Sequence, residues 1–122
     1  MEKSQALAAL AALANDARLD LMRLLMPLGD QGLAAGEISR ALGLSSSRLS
    51  FHLAALEQAG LIRSRRLARN VFYSVDAAGM GATISFLLND CCMEHPEVMA
   101  CCRHSESVAK PATSPAKVPQ GS

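Results

Sequence analysis

Cys91-Cys92 and Cys101-Cys102 are two adjacent cysteine pairs that together hold all four cysteines of this 122-residue chain. They lie in the stretch Cys91-Cys92-Met93-Glu94-His95-Pro96-Glu97-Val98-Met99-Ala100-Cys101-Cys102-Arg103-His104. Neighbouring Cα atoms are about 3.8 Å apart, so both sulfurs of a pair can turn toward one centre. Thiolates select soft ions over hard ones. Cys91, Cys92, His95 and Cys101 would make a tetrahedral set for zinc or cadmium, while a softer ion could take two or three thiolates alone. A redox switch needs only two of the four thiols. Against these stands a bland reading, four inert cysteines in a frayed segment, although a mostly polar stretch offers them no packing gain. His95 is a ligand or supporting candidate that could equally be solvated, and Met93 and Met99 read as gap-fillers.

The elements that must position this segment are small and helical. Half the residues are apolar, but many are alanine and only four are aromatic, so helix packing must supply the core of one ordinary-sized domain. Leu7, Leu10 and Leu13 form a stripe on a helix over residues 4–14 whose alanines would let another helix approach closely. Asp16 can cap a second helix with Leu19, Met22, Leu24, Leu25 and Met26 as its apolar face, stopped by Pro27 and Gly29. Glu37-Ile38-Ser39-Arg40-Ala41-Leu42 is a short amphipathic helix closed by Gly43, and Ser45-Ser46-Ser47 can cap the next one, which runs to about Ala59 and buries Leu49, Leu53 and Leu56. Two short helices around a tight turn form a helix-turn-helix.

After Gly60 the pattern alternates. Residues 61–65 and 71–75 read as strands of a hairpin whose tip is Arg66-Leu67-Ala68-Arg69-Asn70, with Asn70 available for a left-handed turn. The whole is mainly α with a β-hairpin wing, a winged helix-turn-helix. Its charge is uneven: residues 45–73 hold five arginines against Glu57, about +4, inside a chain of net charge +1. Ser46, Ser47, Arg48, Ser50 and His52 on the second helix, with Arg63, Arg65, Arg66 and Arg69 on the wing, are the candidate DNA contacts. His52 can alternatively pack at the helix base.

A last amphipathic helix from Ala77 to about Asp90 carries Met80, Ile84, Leu87 and Leu88 and delivers Cys91 and Cys92 at its end; Pro96 can start a further turn. Residues 1–104 are then the DNA-binding and sensing domain. Residues 105–122, with Pro111, Pro115 and Pro119 among polar residues, read as a disordered tail. No apolar run long enough to span a membrane and no leader-like N-terminus is present, so a cytoplasmic location is expected, where clustered cysteines bind metals or sense redox state more often than they form disulfides. An enzyme is not expected: no anion-binding loop precedes any cysteine. A free-standing metal carrier would not need the basic helix and wing.

The residues Glu37-Ile38-Ser39-Arg40-Ala41-Leu42-Gly43-Leu44-Ser45, followed by Arg48-Leu49-Ser50-Phe51-His52-Leu53-Ala54-Ala55-Leu56-Glu57-Gln58-Ala59-Gly60-Leu61, resemble the ArsR/SmtB family of winged-helix metalloregulators over residues 7–90. The resemblance implies a homodimeric repressor, dimerised through its first and last helices, that leaves an operator when a metal or metalloid binds. The family's Cys-x-Cys site on the first helix of the helix-turn-helix is replaced here by Leu33-Ala34-Ala35-Gly36-Glu37, and its last-helix zinc site has no histidine between Asp76 and Asp90. The Asn89-Asp90-Cys91-Cys92 ending instead looks like the arsenic-responsive branch, in which a vicinal pair and a later cysteine are the ligands. What it implies is no constitutive cofactor, with As(III) as inducer and Sb(III) or trivalent methylarsenicals as further candidates. The family usually has glycine at the wing tip where Ala68 stands.

Overall fold

The first helix meets the core mainly through alanine, with Leu13 of the expected leucine stripe packed beside it. In α1 (Lys3–Leu13) the buried side chains are Ala6, Ala9 and Ala12, while Leu7, expected on the packed stripe, is 56% exposed. Methyl groups let the α1 backbone lie close to its neighbours; the larger leucines would hold it away. Asn15, one residue before the expected Asp16, caps α2 (Asp16–Leu25) by accepting from the Arg18 N–H at 3.1 Å. Leu21, Met22 and Leu25 fill the core, whereas Leu19 and Met26 point to solvent.

The computed structural model of the chain describes residues 1–101, so the expected tail over 105–122 and Cys102 lie outside the described residues. Two compact units divide the chain after Thr83. In the first, a 3-10 segment (Met26–Gln31) follows α2, and Gly32 leads to a strand absent from the sequence reading, β1 (Leu33–Ala34). Then comes the helix-turn-helix: α3 (Ala35–Leu42), Gly43 in the left-handed region at φ 67°, and α4 (Ser46–Gln58), with the Ser45 hydroxyl accepting from the Arg48 N–H at 3.3 Å. The Ser39 hydroxyl donates to the Leu44 carbonyl and locks the turn. Ile38, Leu49, Leu53 and Leu56 join Leu21 and Leu25 in one core with Leu61, Ile62 and Val75.

The wing strands β2 (Ile62–Leu67) and β3 (Asn70–Val75) pair antiparallel, Ile62 opposite Val75 and Leu67 opposite Asn70, with β1 on the far edge of β3. Ala68, not Asn70, takes the left-handed conformation at the tip, φ 59°. A positive φ at the first of two turn residues is the pattern that favours glycine. Ala68→Gly is therefore expected to raise stability by about 0.5–1 kcal/mol, relief of left-handed strain outweighing the added freedom of the unfolded chain. A rise in the urea midpoint at constant slope is the check. Helix α5 (Ala77–Phe86) is anchored by the Asp76 carboxylate, which accepts from the Gly79 N–H at 3.1 Å.

The second unit begins at Ile84. After α5 the chain widens into one π-helical turn, Leu87–Cys91, closed by the Cys92 N–H on the Leu87 carbonyl at 2.8 Å. Met93 and Glu94 are both left-handed, φ 52° and 55°, and lie in a turn. Residues 96–101 are helical, as Pro96 led us to expect.

Candidate DNA-binding face and thiol segment

In the first unit the polar N-terminal part of α4 is open to solvent. Ser46, Ser47, Arg48 and Ser50 are exposed, and so is Phe51, which is not among the contacts expected from the sequence. His52 is different. It is only 8% exposed, and its Nδ1 accepts from the Arg18 Nε at 3.1 Å. Arg18 also donates to the Ala12 carbonyl at 3.5 Å, and its guanidinium lies 5.4 Å from the Phe51 ring centroid. A single arginine from α2 thus ties α1, the base of the recognition helix and its exposed aromatic. Nothing in the sequence marks Arg18 for this, because the pairing joins residues 34 positions apart.

Burial first, then the positive charges of Arg18 and Arg48, hold the His52 pKa below 6.5. The folded chain therefore carries fewer protons here than the unfolded chain. This site costs no stability well above pH 6.5; stability falls as pH drops through 6.5 toward the folded value, because the unfolded state gains the proton first. The expected outcome is a urea midpoint that declines between pH 7.5 and 5.5, with His52→Gln flattening part of that decline.

The wing arginines fall on two faces, as strand alternation requires. Arg63 and Arg65 share one face: Arg63 reaches the Asp30 carboxylate at 3.2 Å, and Arg65 donates to the Gln31 carbonyl at 3.2 Å while lying 5.5 Å from the Phe72 ring. Arg66 projects from the other face, beyond Ser64, whose hydroxyl donates to Glu57 at 2.8 Å and ties the wing to the end of α4. Among the described residues neither Arg66 nor Arg69 makes an ion pair. These two are the wing cations most available to phosphate, while the Arg63 pair, largely exposed, is of the kind worth about 0–1 kcal/mol and easily exchanged for a phosphate.

The thiols belong to the second unit. Cys91 and Cys101 are exposed free thiols, and Cys92 is half-buried. His95, a sequence candidate for ligation, accepts the Glu97 N–H on Nδ1 at 3.2 Å, which caps the helical segment 96–101. Met93 is 80% exposed and fills no gap. Among the described residues no three histidine, cysteine or acidic side chains are gathered as metal ligands. The donor chemistry suits a soft ion; assembling three thiolates would require the loop 92–95 to bring the later cysteines to the pair.

A helix-turn-helix whose second helix opens with serines and arginine, followed by a basic wing, defines a winged-helix DNA-binding protein. A helix-turn-helix domain model matches residues 13–65. Over 89 residues the chain is 42% identical to the transcriptional activator HlyU of Vibrio cholerae, covering 71% of this chain and 80% of that protein. The structure of reduced HlyU from Vibrio cholerae matches with TM-score 0.55 at 41% identity, covering 70% of this chain and 86% of that one. A homodimeric winged helix-turn-helix DNA-binding domain from Mycobacterium bovis, described as a possible ArsR-family transcriptional regulator, matches with TM-score 0.57 at 26% identity over 75% of this chain and 85% of that one. The chain belongs to the ArsR-like family of winged-helix transcription regulators that includes HlyU. Among the described residues no helix is long and apolar enough to cross a membrane.

Proposed function

We propose that this regulator is an arsenic-responsive repressor. A homodimer holds an inverted-repeat operator and leaves it when trivalent arsenic, or antimony or a trivalent methylarsenical, is taken by Cys91, Cys92 and one of Cys101 and Cys102. The observation that carries the reading is the vicinal pair at the end of a π turn, followed at once by a turn with two left-handed residues. π turns concentrate at functional sites, and the left-handed pair costs about 1–2 kcal/mol per residue. That cost leaves the segment easy to remodel when thiolates are drawn together. Ordering of this segment, at the end of the helix we assign to the dimer contact, then changes the separation of the two recognition helices. A second reading, a thiol-redox switch, draws support from the relative described in its reduced state. An excess of a phosphine reductant, which brings no thiol to compete for arsenic, separates the two: it blocks a disulfide-driven release and leaves an arsenite-driven one intact.

On DNA, the two half-sites should lie about 34 Å apart or a multiple of it. Arg48→Ala is expected to weaken specific binding by about 1–3 kcal/mol. Arg66→Ala and Arg69→Ala should weaken specific and random duplex alike and reduce the salt slope by about one each. Fluorescence titration of a selected duplex over a salt series measures all three. Unchanged salt slopes in every variant contradict the wing assignment.

A further inference from the structure

We propose that Phe51 determines operator specificity by packing its ring against the 5-methyl group of a thymine in the major groove. The inference deepens the DNA-binding reading and rests on it. Phe51 is 65% exposed, on the recognition-helix surface where Ser47, Arg48 and Ser50 are also exposed. An aromatic ring left in water there forgoes its burial free energy in the uncomplexed chain. It is nevertheless held in one direction. The Arg18 guanidinium lies 5.4 Å from its centroid, and His52 meets it edge-on at 5.5 Å and 64°. Arg18 is itself fixed by His52 and the Ala12 carbonyl, so α2 sets the direction of the ring.

Ser47, Arg48, Phe51 and His52 line an open hollow of about 340 Å³. One side of it offers a hydroxyl and a guanidinium, which suit the polar edge of a base; the ring suits an apolar group. In the major groove an A·T pair presents one apolar group, the thymine methyl, and a G·C pair presents none. The polar surroundings of the ring argue against an apolar protein partner, which would need a wider apolar patch.

The test uses the full chain and duplexes selected by it from a random pool, with each thymine of the selected duplex replaced singly by deoxyuridine. Removing the methyl should cost wild type about four-fold in affinity at one position per half-site. Phe51→Ala should bind the selected duplex about five- to tenfold more weakly, show no loss at that uracil and keep the wild-type salt slope. Phe51→Leu should retain part of the methyl sensitivity. Because the ring is exposed, an unchanged urea midpoint verifies that Phe51→Ala folds. Selected half-sites without thymine, or the same uracil penalty in wild type and Phe51→Ala, overturn the inference while leaving the DNA reading standing. A pool from which wild type selects nothing removes the DNA reading and this inference with it.

Discussion

Gly79→Ala should destabilise the chain by about 1–3 kcal/mol or more, while Gly81→Ala, two residues along the same helix, should stabilise it by about 0.5–1 kcal/mol. The opposite signs follow from what a methyl group meets. At Gly79 an added Cβ would sit 1.8 Å from the Gly60 carbonyl oxygen and 2.9 Å from its carbon, backbone atoms that cannot swing aside. At Gly81 nothing lies within 4 Å, so only the helix propensity of alanine remains. The close approach of α5 to Gly60 also depends on the left-handed backbone at that glycine, φ 78°, where α4 hands over to the wing. Lifting α5 there disturbs the Asp76 anchor and the buried Thr83 hydroxyl, which donates to the Gly79 carbonyl at 2.9 Å. Paired thermal and urea denaturation of the two variants gives the comparison; equal effects would mean that α5 does not lie against Gly60.

Gly32 belongs to the same account. A Cβ there would fall 2.0 Å from the Tyr73 carbonyl oxygen, at a backbone φ of 63° that alanine rarely adopts. This glycine is what lets β1 reach β3, with Leu33 opposite Tyr73.

The second large effect is on the response. In Cys91→Ser and Cys92→Ser variants, arsenite should no longer release the operator, with operator affinity unchanged, whereas Cys101→Ser and Cys102→Ser should compensate for one another. The inequality follows from the proposed ligand set: Cys91 and Cys92 each supply one of its thiolates, sharing one centre as neighbours in the chain, whereas either Cys101 or Cys102 can supply the third. A trivalent methylarsenical takes only two thiolates, so it should still act when both later cysteines are serine. Gel-shift titrations with arsenite and with methylarsenite distinguish these cases. Release of the Cys91→Ser, Cys92→Ser double variant at the wild-type arsenite concentration would assign sensing to the later pair.

Much of this architecture was legible in the sequence because local signals agreed there. Gly43, the serine cap at 45–47 and the switch from helical to alternating apolar spacing after Gly60 each dictate backbone geometry within a few residues. What the sequence left hidden depends on distant partners. The leucines of α1 form the more obvious stripe, yet packing buries the alanines most deeply, keeps Leu13 partly buried and leaves Leu7 exposed, because close helix approach is a property of the neighbour as well as of the helix. The strand β1 is two residues long and exists only because β3 pairs with it. Asn15 and Asp16 are both good caps, and only the register of α2 decides between them. At the recognition helix, His52 was readable as a phosphate contact or as packing; its 8% exposure and its bond to Arg18 place it in the packing of the helix base. The Cys91-Cys92 pair was visible from spacing alone, while the π turn beneath it was not, since that turn ends the helix and no apolar repeat follows it to reveal the shift in phase.

The central claim is that thiol ligation and operator binding oppose each other within one chain. Arsenite binding to wild type, measured by calorimetry under reducing conditions with and without saturating selected duplex, tests it most directly. If the two events are coupled, duplex must weaken arsenite binding by the same factor by which arsenite weakens duplex binding, about 5–150-fold for a coupling of about 1–3 kcal/mol. Arsenite affinity that is the same with and without duplex would contradict the account.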